Sequence, residues 1–250
     1  YTTLFRSEYV RLVKDCKARV RVPVIPSINA ATGSEWVAIA GELAGAGADA
    51  LQLNLFVSPF DATKSSCAIE ADYADIVGKV KQATRMPVIA KIGQHFTGIP
   101  GMVGALAKAG ADAVVLFNRY YSPDVDVDTL KFKPAGIFSS AGEHTQALRW
   151  ISLLSATAGV PLVAASGVHD GEALVKMILA GAPAVEVVST LYLNGNGSIE
   201  AMNRFLAGWM DRHGHADIES FRAKLAVRAG ENRGALERFQ YMKNFGGAEV

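Results

Sequence analysis

The chain has 250 residues, half of them hydrophobic and a fifth charged, with a formal net charge of +1. That near-neutral balance gives no electrostatic reason to expect nucleic acid or an anionic membrane as partner, and no apolar run reaches the roughly 18 residues that span a bilayer. The two cysteines, Cys16 and Cys67, make no disulfide framework and point to a reducing, cytoplasmic setting. The sequence begins at Tyr1 rather than Met, and residues 1–7 match none of the patterns that follow. Short, nearly continuous apolar runs, the mark of parallel strands covered on both faces, start near Val22, Ala48, Pro87, Ala113, Pro161 and Ala184. Helical periodicity fills 35–44, 71–84, 100–107, 145–158 and 171–180 between them. Two more amphipathic helices are expected over 198–212 and 217–228, ahead of a charged tail. No linker divides the chain, so residues 1–250 read as a single domain.

Two strand patterns alternate along the chain. One is AGADALQLN (46–54), AGADAVVLFN (109–118) and AGAPAVEVVS (180–189); the other is VPVIPSIN (22–29), MPVIAKIG (86–93) and VPLVAASG (160–167). Gly47, Gly110 and Gly181 fall where a helix C-terminus takes a left-handed residue, and they read as helix stops. Alternating βα units build either a doubly wound sheet or a closed barrel. The first strand lacks the Gly-x-Gly-x-x-Gly turn of a dinucleotide-binding sheet, and two alternating strand types favour a barrel. Too few residues precede Val22 for two more units. The expected fold is therefore α/β, a (β/α)8 TIM barrel, N-terminally truncated, with about six of its eight units present.

A barrel of this kind places its chemistry at the C-terminal ends of the strands. Those ends are Asn29, Asn54, Lys91, Asn118, Ser166 with Gly167, and Ser189 with Thr190. Amides that donate and accept, with one ammonium, suit a polar, planar, anionic ligand. Lys91 stands inside an apolar run, where burying a lone ammonium is costly, and so reads as functional. The small-residue turns at 166–171 and 188–190 leave backbone N–H groups for a phosphate, the usual role of the last two loops of the fold. The longest loop, from Phe56 to about Glu70, has the length of a lid and carries Ser58 and Cys67, either able to transfer a proton if held over a substrate.

These segments resemble the FMN-dependent dihydroorotate dehydrogenase family, particularly its divergent bacterial dihydroorotate dehydrogenase-like branch, over residues 8–228. The pieces that carry the likeness are PVIPSINAATGSEWV, AGADALQLN, MPVIAKIG, AVVLFNRYYSPDVDVDTL, ALRWISLLS and ASGVHDGEALVKMILAGAPAVEVVSTLY. The resemblance implies a barrel with FMN seated over the strand ends, and oxidation of dihydroorotate to orotate in pyrimidine biosynthesis, or of a related small substrate. It implies that Asn54 touches flavin and substrate, that Lys91 lies against the flavin ring and stabilises its anionic reduced form, and that Asn118 binds the substrate. It also implies a flavin contact at Ser139 and Ser140, a phosphate cradle at Ser166, Gly167, Ser189 and Thr190, and Ser58, just before Pro59, as the catalytic base.

The chain departs from the family pattern in four places. One extra residue separates Asn54 from the Ser-Pro pair, Phe60 replaces a substrate-binding Asn, Arg119 follows Asn118 where a small hydroxyl residue is usual, and Val188 replaces a Gly of the phosphate loop. The expected partners are a small-molecule substrate and a second copy of the chain, with no metal, no nucleic acid and no membrane. Two other readings stay open from sequence: a Schiff-base lyase of aldolase type using Lys91, and a non-catalytic barrel that binds FMN or phosphate.

Overall fold

The computed structural model describes residues 3–57, 59–120 and 122–228. In chain order it contains α1 (Thr3–Arg19), β1 (Ser27–Ile28), α2 (Gly33–Gly45), β2 (Leu51–Asn54), α3 (Ser66–Thr84), β3 (Val88–Ile92), α4 (Ile99–Lys108) and β4 (Ala113–Leu116). A hairpin of β5 (Pro123–Asp126) and β6 (Lys131–Pro134) follows, then a 3-10 turn at Ala141–Glu143. The chain continues as α5 (His144–Leu154), β7 (Leu162–Ala164), α6 (Gly171–Ala180), α7 (Ser189–Asn194) and α8 (Gly197–His213).

The main sheet is parallel, in the order β1-β2-β3-β4-β7. Each unit adds its strand beside the last with no reversal, as in a barrel wall; a doubly wound sheet would turn back at a switch point. The sixth expected strand joins β7 through a single parallel bridge, Ala164 to Val185. The Ala164 N–H donates to Ala184 O at 3.1 Å, and the Glu186 N–H donates to Ala164 O at 2.8 Å.

Alternation decides which side chains meet the helices. Leu51, Leu53, Val88, Ala90, Ile92, Val114, Leu116 and Ala164 are fully buried and form one core with Trp36, Leu43, Val77, Val80, Met102, Leu106, Ile151 and Met177. The alternate positions, including Asn54, Lys91, Val115 and Val163, point to the opposite, concave face. Asn54 pairs in register with Lys91, and Lys91 with Val115, so strand pairing sets an amide beside an ammonium at one level of the wall.

Local signals set the helix ends. Thr32 and Glu35 form a capping box at the start of α2, and Asp170 caps α6 by accepting from the Ala173 N–H at 2.8 Å. Gly47, Gly110 and Gly181 all have positive φ, as expected of helix stops. At Gly181 the space is closed as well: a Cβ there would lie 2.3 Å from Ser155 Oγ.

The Asp of the Ala-Gly-Ala-Asp repeat has a structural task that its sequence did not advertise. Asp49 accepts from the Val24 N–H and from Lys17; Asp112 accepts from the Val88 N–H and from Lys81. Each carboxylate thus ties the entry of one strand to the preceding strand and to a helix. The Lys17 ammonium and then the Val24 N–H hold the Asp49 carboxyl below its ordinary value. At Asp112 burial pushes upward, but Lys81 and the Val88 N–H outweigh it and the net shift is downward.

Several expectations are corrected. Only Ser27–Ile28 of the run beginning at Val22 is strand, because Pro23 and Pro26 have no N–H to give a ladder. The residues before it form α1, whose Arg6 makes a two-pronged ion pair with Glu42 at 2.7 and 2.8 Å. Helix α5 stops at Leu154, short of 158. The amphipathic stretch from 217 is a series of turns, not a helix. Three of its N–H groups are committed elsewhere: Ala223 and Leu225 donate to Ile178 and Leu179 in the last turn of α6, and Val227 donates to Ser152. The Leu179 carbonyl at the end of α6 thereby finds a donor, and the Ile178 carbonyl, which also accepts from the Gly181 N–H, gains a second. The hairpin was not anticipated either; Asp126 Oδ1 accepts from the N–H groups of Asp128 and Thr129 and turns the chain there. No described helix is long and apolar enough to cross a membrane.

Asp112→Asn is expected to lower stability by about 1 kcal/mol, a charge-assisted bond discounted for solvent screening. Because the folded-state values of Asp49 and Asp112 lie below the ordinary carboxylate range, their stabilisation is complete above that range and is lost as pH falls through the lowered values. Urea unfolding at neutral and acidic pH checks both points: the variant's deficit should shrink in acid.

Candidate active site

Lys91 lies near the end of β3 on the concave face, with its side chain 14% exposed. Its ammonium meets Glu186 Oε2 at 2.7 Å, across 95 residues of sequence. The bridge to β7 fixes Glu186 there through its own backbone N–H. Asn54, register partner of Lys91, has a buried Oδ1 with no hydrogen-bond partner. A buried acceptor left unpaired costs about 1–3 kcal/mol, so this atom carries an unmet demand for an N–H or O–H donor. Asn118 turns its Oδ1 back to the Arg119 N–H at 2.9 Å, which leaves its amide NH2 to donate.

A cavity of about 440 Å³, within the range of cofactor sites, opens over Lys91, Glu186 and Asn118, whereas Asn54 is not on its lining. Lys91, Asn118, Ser139, Ser166, Gly167, Ser189 and Glu186 all line it. At one end the chain makes a turn of two successive left-handed residues, Ser166 (φ 75) and Gly167 (φ 72). Ser166 is held in this strained conformation by donating to Phe117 O at 2.9 Å. Gly167 packs so closely on the start of α5 that a Cβ would sit 2.2 Å from the His144 backbone nitrogen. Among the described residues, the N–H groups of Ser166, Gly167 and Val168 donate to no protein acceptor, so they are free for an anion.

A polar network braces this end. The Ser139 N–H donates to Ser189 Oγ at 2.9 Å, Ser139 Oγ meets His169 Nε2 at 3.0 Å, and Thr190 Oγ1 donates to His169 O. Thr190 is fully buried, so its hydroxyl braces the turn rather than lining the cavity. Ser140 serves as a cap: its N–H and hydroxyl both donate to Glu143 Oε1. Asn29 is exposed after β1 and lines none of the cavities described here.

Arg119 also lines the cavity, with part of its guanidinium held by the protein. Its guanidinium binds Glu143 at 2.7 Å and the carbonyls of Gly136 and Ile137, pinning the return from the hairpin. Burial pushes the Glu143 carboxyl up, but the Ser140 N–H and Arg119 overcome this and hold it below its usual value.

Tyr120 divides the 440 Å³ cavity from two neighbours of about 430 and 510 Å³. Its ring rests on Gly93, where a Cβ would fall 2.2 Å from the hydroxyl, and stacks edge-on with Phe56 and His95. Burial, followed by the adjacent Tyr73 hydroxyl, pushes the Tyr120 phenol upward, so it stays protonated. The largest of the three cavities is lined by Phe56, Val57, Pro59 and Phe60 of the long loop, facing Tyr73, His95 and Phe96. Ser58 lies outside the described residues. Cys67 is exposed at the start of α3 and lines none of these cavities.

Sequence reading missed Glu186, His169 and Tyr120. Glu186 carried a usable signal, a lone carboxylate in the apolar run AVEVV, by the same desolvation argument that singled out Lys91. Tyr120 and His169 carried none.

Residues 5–210 match the family model of dihydroorotate dehydrogenase. The catalytic subunit of dihydroorotate dehydrogenase B (NAD(+)) from Desulforudis audaxviator is 32% identical over 206 residues, covering 80% of this chain and 67% of that one. The corresponding subunit from Methanocella arvoryzae is 29% identical over 195 residues (76% and 64%), and that from Endomicrobium trichonymphae 34% over 176 residues (69% and 57%). The chain thus spans about two thirds or less of the length of these relatives. With a family model matched over most of its length and strand ends that converge on one polar cavity, this chain belongs to the dihydroorotate dehydrogenase family.

Proposed function

We propose that the chain is the flavin-binding catalytic part of an oxidoreductase that oxidises a CH–CH bond, with FMN as cofactor and dihydroorotate or a related small cyclic molecule as substrate. The observation that carries this reading is the Lys91 ammonium on the cavity lining, whose register partner Asn54 has an unpartnered, buried Oδ1. These groups, with the free N–H groups of the Ser166–Gly167 turn, suit a ligand that combines a planar polar ring with a phosphate. FMN, when bound, supplies the hydride acceptor.

The protein's own part is positioning and proton handling. Lys91 and Asn54 would hold the ring, while Ser139, Ser166, Gly167 and Ser189 would hold the ribityl phosphate end. Asn118 would orient the substrate by its NH2 group, and Tyr120 would bound the substrate space as a neutral phenol. Ser58, beside Pro59 on the loop whose neighbours line the aromatic cavity, is the proposed base. Arg119 lines the cavity already ion-paired with Glu143, so a substrate related to dihydroorotate fits this reading as well as dihydroorotate itself. The Schiff-base alternative lacks support, because that chemistry needs a free amine and Lys91 is ion-paired at 2.7 Å. The relatives are named as catalytic subunits of an enzyme that uses NAD(+); by that likeness a partner subunit and a nicotinamide acceptor are proposed here, beside the expected second copy.

The full chain reconstituted with FMN is expected to turn yellow and to bleach anaerobically with dihydroorotate. Ser58→Ala should slow that bleaching by about 10²-fold while FMN stays bound, the loss expected for a general base. A colourless protein after reconstitution contradicts the cofactor assignment; unchanged bleaching in Ser58→Ala removes that residue from the chemistry. Gly167→Ala must either displace the start of α5 or abandon the turn, so it should weaken FMN binding at least about tenfold in a fluorescence titration.

A further inference from the structure

The ion pair under the cavity has more charge than packing requires. Lys91 and Glu186 are 14% and 25% exposed, and their concave-face neighbours Val115 and Val163 are apolar. An apolar pair of similar volume would hold such a site together as well as a buried ion pair does, often better. Both charges also line the cavity, so both act on whatever occupies it. Among the described residues Lys91 gives one hydrogen bond, to Glu186, and an ammonium has three protons, which leaves two for a ligand.

We propose that Glu186 is a positioning residue that aims the Lys91 ammonium and offsets its charge, holding the flavin at a lower reduction potential than an unpaired lysine would. The proposal rests on the FMN reading given above. A positive charge beside a ring favours the addition of electrons to it; a carboxylate 2.7 Å from that charge cancels much of the field. The two roles of Glu186 are separable by substitution. Gln keeps an oxygen that accepts from Lys91 but carries no charge, whereas Ala removes both.

The test is an anaerobic equilibration of the full-length, FMN-reconstituted protein with a reference dye, read from the flavin and dye spectra. Glu186→Gln should raise the ratio of reduced to oxidised flavin about tenfold at a fixed dye ratio, which is about 30 mV for two electrons, with FMN affinity little changed. Glu186→Ala should shift the ratio in the same direction, and Lys91→Met in the opposite one. If FMN binds to the wild-type and variant chains and the ratio does not move, or falls, in both Glu186 variants, the proposal is overturned while the FMN reading stands. If the wild-type chain binds no FMN, the FMN reading falls and takes this proposal with it.

Discussion

A charge placed in the wall of an apolar sheet constrains everything around it. Lys91 belongs to a strand whose alternate residues, Val88, Ala90 and Ile92, are fully buried against the helices. Its ammonium can only emerge on the concave face, and there it needs an opposite charge within reach. Glu186 supplies it only because the last strand segment bridges β7 at Val185. The same strand pairing that builds the core therefore sets the register of Asn54, Lys91 and Glu186.

Around that fixed point the loops are rigid for identifiable reasons. Ser166 is held left-handed by its bond to the Phe117 carbonyl, and Gly167 is in contact with the backbone at the start of α5. Ser139, Ser189, His169 and Thr190 link three separate loops through hydrogen bonds. Arg119 and Glu143 anchor the return from the hairpin against the same end. A phosphate arriving at the free N–H groups would meet a turn already formed, so little ordering entropy stands against binding. The proposed substrate side is built differently, from the interleaved rings of Phe56, Tyr73, His95, Phe96 and Tyr120.

Much of this was legible in the sequence because it follows from period and position. Continuous apolar runs marked the parallel strands, glycines after Ala marked the helix stops, and polar residues near the ends of four runs marked the cavity; Lys91, Asn118, Ser166 and Ser189 were reached that way, whereas Asn29 and Asn54 do not line it. What escaped depends on partners distant in sequence. The 217–228 stretch has helical periodicity, but the N–H groups of Ala223 and Leu225 bind the carbonyl end of α6, a tertiary preference that periodicity cannot register. Arg119 read only as a departure from the family pattern, and its ties to Glu143 and two carbonyls are set by residues 17 to 24 positions away. Tyr120 gained its place because Gly93 leaves room for a ring, and neither residue suggests this alone.

The central claim is that the polar strand ends form a flavin site with Lys91 at the ring and the Ser166–Gly167 turn at the phosphate. A crystal structure of the full chain with FMN tests it most directly. Lys91 Nζ is expected within about 3.5 Å of a ring atom, with the phosphate on the Ser166 and Gly167 N–H groups. FMN bound elsewhere, or with its phosphate away from that turn and Lys91 turned from the ring, would contradict it.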